Sequence, residues 1–384
     1  MDSRQLRRAR RKRALQQQRL AAAATALASL VAVLLIGCGV NTTTTGEARG
    51  TPIHRVVHVH PRPWRPPQFV VVSFDGSGGV RLWPYWRDVA LRAHAHFTFF
   101  VSGVYLLDEA RRNAYRPPRH SPGSSDIGFA QPEGDRSARS IVRGTLAQIA
   151  GAYGEGHEIG THFNGHFCAP YGGNVGEWTR ADWDQELHQF YKLFFGAAAN
   201  NHLPSSVEVP FGAGEIIGER TPCLQGDFRA LYPALVAHGF RYDASRVARL
   251  GEWPQRERGL WSTPLLEIPF VGHTFDVVSM DYNFLANQTG LPPGSIERET
   301  YLSLRRAFFA SYFGNRAPLS IGVHFETWNH WTYDHAVSRL LLDVCRLPEV
   351  RCASFRELVD WLDAQSHRRL RRARLGRFRH LKRH

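Results

Sequence analysis

Short apolar runs alternate along the chain with longer segments of helical periodicity. The runs are typical of buried strands and lie at 69–74 (FVVVSF), 97–101 (FTFFV) and 319–323 (LSIGV), and the short segment 240–242 is also strand-like. Helices are predicted between or after them at 86–94, 140–153, 179–195, 228–238 and 354–364. Capping boxes at Thr179 and Ser354 mark two of the helix starts. This alternation predicts an α/β domain with a parallel sheet and crossover helices, while the Pro- and Gly-rich segment 115–136 is predicted to be a long surface loop.

Length and charge narrow the class of protein. With 384 residues and 43% hydrophobic content, the chain can bury one large core, so we expect a single barrel-sized domain with terminal extensions. The net charge of +14 is concentrated at the ends: residues 1–37 carry eight Lys/Arg and one Asp, and residues 366–384 carry nine Lys/Arg and no acid. Residues 38–365 therefore carry 14 − 7 − 9 = −2, which argues against a nucleic-acid-binding core.

The amino-terminal region has the layout of an export signal. Residues 1–19 are basic, and the 17 residues of 20–36 are apolar, which is marginal for a membrane span. The segment Leu35-Ile36-Gly37-Cys38 resembles a bacterial lipobox, which would place a lipid on Cys38 after cleavage; the alternative is an uncleaved membrane anchor. Either way, the sequence predicts an extracytoplasmic protein attached to the membrane or secreted, with a Thr/Pro-rich linker at 38–67.

The segment 366–384 is a basic tail with interspersed Leu370, Leu375, Phe378 and Leu381. This pattern is compatible with an amphipathic segment that binds anionic lipid or wall polymer, and equally with a solvated, disordered tail.

Four further cysteines remain in a chain that we expect to be exported, so disulfides are the natural expectation. Cys345 and Cys352 flank a short loop and should pair. Cys168 and Cys223 each lie within three residues of a polar motif, and a bridge between them would clamp two loops together. Free thiols, or Cys168 as a zinc ligand, are the alternatives.

Polar side chains follow three of the predicted strands. Asp75 ends the first apolar run and begins a glycine-rich loop, and His324 ends the last one. The stretch 156–168 (GHEIGTHFNGHFC) places His162 and His166 four residues apart, with the turn-forming pair Asn-Gly between them. Two neutral imidazoles at the end of a strand can share a divalent cation if a third ligand joins them.

These motifs in this order give a specific resemblance. The motifs that carry this resemblance are FD-G, HEIGTH-x3-H, Arg220-Thr221-Pro222 and a strand that ends in His324. The sequence resembles the NodB-homology polysaccharide deacetylases, which form carbohydrate esterase family 4. The resemblance covers about 69–362. It implies a distorted barrel of about seven β/α units and hydrolysis of N-acetyl or O-acetyl groups on a polysaccharide such as peptidoglycan. It also implies one divalent metal, with zinc expected and cobalt or nickel as alternatives.

The resemblance also implies roles for individual residues. Asp75 would be the general base, His324 the general acid, and His162 and His166 metal ligands. Arg220 would keep the base ionised, because a neighbouring cation lowers the pKa of a carboxyl group. The backbone N–H of Cys223 would stabilise the oxyanion.

Several residues keep more than one interpretation. Asp75 is also compatible with a turn aspartate, Arg220 with a surface arginine and His324 with a packed core histidine. Trp328 and Trp331 would bind the substrate by stacking on sugar rings, or they belong to the core. Family members pair the acid histidine with a carboxylate, for which Asp243 and Asp281 are both candidates.

The sequence departs from the family at Gly76, where a second aspartate usually binds the metal. This leaves either a His-His-water site in which Asp75 is both base and ligand, or no competent metal site. We therefore expect a monomeric deacetylase of an envelope or extracellular polysaccharide, with two alternatives. One is a catalytically silent lipoprotein that binds glycan, and the other is an amidase that acts on a non-sugar substrate.

Overall fold

The central strand of the fold is β1 (Gln68–Asp75), in which all eight residues are buried. Its Val and Phe side chains suit a strand that is covered on both faces. In the computed structural model, which describes residues 64–380, β1 pairs in parallel with β11 (Leu319–His324) and β2 (Thr98–Val101). The β1–β11 register pairs Asp75 with His324, so these two predicted site residues end adjacent strands.

The main sheet is open and has the strand order β11-β1-β2-β3-β4-β5-β8-β7, with β12 pairing to the start of β1. The remaining strands of this sheet are β3 (Glu158–Thr161), β4 (Gly218–Glu219), β5 (Tyr242–Asp243), β7 (Gln255–Glu257), β8 (Leu260–Ser262) and β12 (Val350–Cys352). All its pairs are parallel except β7–β8. The sheet curls into a half-barrel, which confirms the predicted fold class of a distorted (β/α) barrel in a single domain.

Helices connect these strands. Within residues 64–380 they are α1 (Trp83–Ala93), α2 (Ala138–Gly154), α3 (Arg180–Phe195), α4 (Ala197–Asn200), α5 (Phe228–Ala237), α6 (Asp281–Asn287), α7 (Pro293–Phe313), α8 (Trp328–Val344), α9 (Phe355–Asp363) and α10 (His367–Arg374). The capping boxes predicted at Thr179 and Ser354 are both present, and they begin α3 and α9. The 21-residue helix α7 was not predicted from the sequence.

A second, three-stranded sheet lies between β5 and α6 in the chain. It consists of β6 (Val247–Arg249), β9 (Leu265–Pro269) and β10 (Asp276–Val278), in the order β10-β9-β6. A β-bridge between Met280 and Gly322 links the end of this segment to β11. The residue that follows Met280 is therefore held beside the strand that carries His324.

The described part of the basic tail is folded. Ser366 caps α10, and the apolar side chains Leu370 and Ala373 are buried against the domain. Phe378 is also buried, at 9% exposure, whereas the arginines of α10 are exposed, although Arg374 donates a hydrogen bond to the carbonyl of Pro254. The apolar face of this helix is thus already occupied by the domain itself.

The predicted export signal at 1–37, Cys38 and most of the linker lie outside the described residues. Within 64–380, none of the helices is both long and apolar enough to span a membrane. The disulfide Cys345–Cys352, which closes the loop before β12, is present as predicted.

Candidate active site

Asp75, which lines a cavity, forms a buried ion pair with Arg220. Nη1 of Arg220 donates a hydrogen bond of 2.8 Å to Oδ1 of Asp75, and the two side chains are 0% and 3% exposed. Arg220 is fixed by further hydrogen bonds to Ser73 Oγ and the carbonyl of Ala244, at 2.8 and 2.9 Å. Burial raises the pKa of Asp75, but Arg220, His162 and His324 lower it, and the result lies below the ordinary value. Asp75 is therefore an ionised carboxylate at neutral pH.

His162 directly follows β3 and is buried. Its Nδ1 donates a 2.8 Å hydrogen bond to the backbone carbonyl of Arg220, so Nε2 carries the lone pair. Burial lowers the pKa of His162 to about 3, although nearby Asp75 opposes this. The imidazole is thus neutral and held in one tautomer by a backbone carbonyl, which is the usual condition of a metal-binding histidine.

The strand gives way to a turn after His162, as predicted, and the turn brings His166 back beside it. The ring centroids of the two histidines lie 5.2 Å apart. Phe163 and His166 have φ angles of 56° and 58°, so the left-handed residues of this turn are not the Asn-Gly pair. Burial lowers the pKa of His166, which is therefore also neutral.

A buried carboxylate on α3 holds this turn in place. Glu186 accepts a 3.1 Å hydrogen bond from the backbone N–H of Asn164 and 2.9 Å hydrogen bonds from the hydroxyl of Tyr115. The same hydroxyl accepts a hydrogen bond from the backbone N–H of Gly165 at 3.1 Å. Burial raises the pKa of Glu186 to about 7. Glu186 and Tyr115 therefore satisfy two backbone donors between His162 and His166.

His324 lies across the cavity and is paired with Asp281, the first residue of α6. Asp281 accepts two 2.7 Å hydrogen bonds from His324, one from Nδ1 and one from the backbone N–H. Burial opposes the charged form of His324, but Asp281 and Asp75 outweigh burial and raise its pKa to about 9. Asp281 is thus the carboxylate partner of His324, whereas Asp243 binds the hydroxyl of Tyr232 at 2.8 Å.

A cavity of about 400 Å³ joins these side chains. Its lining consists of Asp75, His162, His166, Cys223, Leu224, Met280, Tyr282, Asn283 and His324. Tyr282 is 54% exposed, and its ring lies 6.2 Å from His324 and 5.9 Å from Trp328. Trp328 lies 5.1 Å from His324 and Trp331 packs against Tyr85 at 5.2 Å, and neither tryptophan belongs to this lining.

Cys223 forms the predicted disulfide with Cys168, and the bridge ties the histidine turn to the loop after β4. Both Cys223 and Leu224 have positive φ angles, 54° and 56°, and both line the cavity. The bridge closes a loop of 55 residues, for which loop-closure entropy predicts a stabilisation of about 4 kcal/mol.

Two of the three residues that we expect to bind a metal lie side by side at the cavity. His162 and His166 are neutral, neighbouring and face one cavity, and this donor set suits zinc, cobalt or nickel. Asp75 is the remaining candidate ligand. However, the one trio of His, Cys, Asp or Glu in residues 64–380 whose ligand atoms lie within 4.8 Å of one another is His166, Cys168 and Cys223. The sulfur atoms of that trio are joined in the disulfide and are not thiolates.

Gly76, where the family usually has an aspartate, has a φ angle of 65° and lies under Tyr105. A Cβ atom at position 76 would lie 3.4 Å from the ring of Tyr105 and 3.6 Å from its hydroxyl. The loop after β1 is therefore shaped for glycine.

No protein-family model and no curated protein matches this sequence. The solved structures similar to this chain include family 4 carbohydrate esterases. A proposed polysaccharide deacetylase from Mycobacterium smegmatis is 14% identical, with 79% of this chain and 95% of that chain covered and a TM-score of 0.46. The chitin deacetylase of Colletotrichum lindemuthianum is 14% identical over 76% of this chain and 87% of that one, with a TM-score of 0.38. A family 4 pseudoenzyme from Bacillus anthracis is 9% identical over 77% of this chain and 66% of that one, with a TM-score of 0.40. These neighbours come from the family that the sequence motifs resemble, and the chemistry of this chain is argued below from its own residues.

Proposed function

We propose that this protein is a metal-assisted hydrolase that removes acetyl groups from a polysaccharide outside the cytoplasm. The observation that carries the proposal is the pair of opposite charges at the ends of β1 and β11. Asp75 is held ionised by Arg220, and His324 is held protonated by Asp281, on the same cavity. Hydrolysis of an amide needs a base and an acid at the same time, and this arrangement supplies both at neutral pH.

The proton movements follow from these positions. Asp75 takes a proton from the water that attacks the acetyl carbonyl carbon, and His324 gives its Nε2 proton to the departing sugar nitrogen. Arg220 and Asp281 each remain charged and hold their partner in place. A divalent metal bound by His162 and His166, with Asp75 as the third ligand, would polarise the carbonyl and lower the pKa of the water. The backbone N–H of Cys223 would donate to the oxyanion.

Aromatic side chains at the cavity and beside it favour a sugar ring as the substrate. Tyr282 and Trp328 stand beside His324, and flat aromatic faces next to a polar centre are typical of carbohydrate sites. The export signal predicted at 1–37 would direct the protein to the cell envelope or outside it, and on this basis an N-acetylated envelope polysaccharide such as peptidoglycan is the proposed substrate. We propose that the protein acts as a monomer.

Acetate release tests the proposal. The purified protein, supplied with zinc or cobalt, is assayed on acetylated chitin oligomers, peptidoglycan fragments, acetylated xylan and a small acetanilide. We expect release from at least one of the glycans, and loss of that release in His324→Ala with metal content unchanged. Release from the anilide alone would favour the non-sugar amidase instead.

A silent glycan-binding protein is the second candidate, and Gly76 favours it. Without a carboxylate at this position, Asp75 must accept the hydrogen bond from Arg220 and also bind the metal. In this case calorimetry would detect binding of the same oligosaccharides, while no acetate would be released at any metal concentration.

A further inference from the structure

His166, Cys168 and Cys223 form a compact group that the proposed hydrolysis does not use as ligands. Nδ1 of His166 lies 3.5 Å from Sγ of Cys168, and the three ligand atoms lie within 4.8 Å of one another. With Zn–S of about 2.3 Å and Zn–N of about 2.05 Å, a tetrahedral site separates a histidine nitrogen from a thiolate sulfur by roughly 3.5 Å. The His166–Cys168 distance already equals that edge.

Two segments, the histidine turn and the loop after β4, hold this group in position independently of the disulfide. His166 ends the turn that Glu186 and Tyr115 support, and Cys168 follows it by two residues. Cys223 lies in the loop after β4, where Thr221 N–H donates to Ser245 Oγ at 2.8 Å and Leu224 N–H donates to the carbonyl of Thr221 at 3.2 Å. These contacts do not involve the disulfide, so we expect them to keep the two sulfur atoms near each other and near His166 when the bond opens.

We propose that reduction of the Cys168–Cys223 disulfide creates a binding site for a thiophilic divalent ion such as Zn²⁺, with two thiolates and His166 as ligands. The disulfide takes two electrons and two protons from a dithiol, which becomes a disulfide in turn. Each cysteine then gives up its thiol proton when the metal binds. Cys223 is exposed and the other two ligands are half-buried, so a water molecule completes the coordination and the reductant reaches the bond.

The new site competes with the His162–His166 pair for one imidazole. A neutral histidine offers one lone pair, and its other nitrogen carries a proton. When Nδ1 of His166 binds the metal between the sulfurs, Nε2 is protonated and leaves His162 without its partner. Reduction would therefore move a metal ion from one side of His166 to the other. The sulfur site itself does not depend on His162 or on the proposed hydrolysis.

The second disulfide provides a matched control. Cys345–Cys352 is also opened by a reductant, but within residues 64–380 it has no His, Asp or Glu that completes a trio of ligand atoms with it. A variant without this bridge keeps the proposed site, and a variant without Cys168 and Cys223 loses it.

Cobalt absorption tests the proposal in the full-length protein. A phosphine reduces the disulfides: it takes oxygen from water and gives two thiols and a phosphine oxide, without binding the metal as a dithiol would. Co²⁺ bound to thiolate has a charge-transfer band in the near ultraviolet, which Co²⁺ bound only to histidine and carboxylate lacks. We expect the band in the reduced protein, in reduced His162→Ala and in reduced Cys345→Ser/Cys352→Ser, and no band before reduction. Reduced Cys168→Ser/Cys223→Ser should lack it.

His166→Ala, which retains the disulfide during folding, should weaken cobalt binding in the reduced state at least tenfold. If the double cysteine variant fails to fold, the cobalt affinity of His166→Ala tests the proposed site in its place. The proposal is overturned by a band of equal strength in the oxidised protein, by no band in the reduced protein, or by unchanged affinity in His166→Ala. Loss of the band in His162→Ala would also overturn it. The cobalt measurements do not depend on acetate release. A protein that releases no acetate would therefore contradict the proposed hydrolase function without contradicting the sulfur metal site.

Discussion

Asp281 binds His324 twice, through the ring nitrogen Nδ1 and through the backbone N–H, with both distances 2.7 Å. The first hydrogen bond fixes the tautomer and charge of the ring, and the second fixes the carboxylate relative to β11. Asp281 directly follows Met280, which forms a β-bridge with Gly322 of β11. The segment that leaves the second sheet therefore holds Asp281 beside His324, and no neighbouring strand of the barrel does so. The protonated state of His324 thus depends on a part of the fold that is distant in the sequence.

Replacing Asp281 tests this dependence. In Asp281→Asn the anion that raises the pKa of His324 to about 9 is lost, so the pKa falls. The acid is active only while protonated, and the alkaline limb of the pH–rate profile should move from near pH 9 towards lower pH. Activity at pH 8 should fall roughly 10-fold to 100-fold, with smaller loss at pH 6. Asp243→Asn, which changes a carboxylate that does not contact His324, should leave the limb in place.

Replacing Arg220 tests the charge of the base. Arg220→Gln leaves Asp75 buried without its cation, so the pKa of Asp75 rises and the acid limb of the profile moves to higher pH. The native pair stabilises the fold above the ordinary aspartate pKa, and this stabilisation is lost as pH falls through the lowered value. At neutral pH, breaking a buried pair should cost about 3–5 kcal/mol in denaturant titration. The matched control is Arg241→Gln, whose partly exposed pairs with Asp360 and Asp363 should be worth about 1 kcal/mol or less.

Gly76→Asp tests whether the missing carboxylate limits the metal site. Aspartate tolerates the left-handed region better than most residues, and the contact with Tyr105 at 3.4 Å requires a small shift. We expect a loss of stability of about 1 kcal/mol, together with tighter metal binding and equal or higher activity. Gly79→Asp is the control, since φ there is 62° and nothing lies within 4 Å of its Cβ position. Equal metal affinity in both variants would show that a carboxylate at position 76 does not reach the metal.

Glu186→Gln tests the support of the histidine turn. Burial raises the pKa of Glu186 to about 7, so its stabilising contribution is complete below the ordinary glutamate pKa and is lost as pH rises through 7. The wild type should lose up to about 3 kcal/mol from this group between pH 4.5 and pH 8, and the glutamine variant should not. Chemical denaturation at several pH values measures the difference. Glu208→Gln, at an exposed position, should behave as the wild type does; an identical pH dependence in Glu186→Gln would contradict the assigned pKa.

Local patterns in the sequence were sufficient to predict the strands that carry Asp75 and His324, because each strand is a continuous apolar run that ends in a polar residue. The capping boxes at Thr179 and Ser354 could also be recognised in the sequence, because the two residues of each box lie within one helical turn. Both disulfides were expected from the predicted export of the chain and from the position of the cysteines. The structure confirms each of these.

Other features depend on contacts that are distant along the chain. Asp281 and Asp243 both follow short apolar segments, and only the pairing of the second sheet with β11 distinguishes them. Tyr282 was missed as a cavity residue, although it adjoins Asp281. Glu186 had a readable signal: it lies three residues after Trp183 and one before Leu187, on the buried stripe of α3. A carboxylate at such a position needs partners, and Tyr115 and Asn164 supply them.

Metal content of the purified protein tests the proposed site most directly. The protein is prepared without reductant, so that the Cys168–Cys223 disulfide stays closed, and is compared with His162→Ala/His166→Ala and with the surface control His335→Ala/His367→Ala. We expect about one equivalent of zinc or another divalent metal in the wild type and in the control, and none in the His162/His166 variant. Absence of metal from the wild type after incubation with zinc, cobalt or nickel, or equal metal in all three proteins, would contradict the two-histidine metal site.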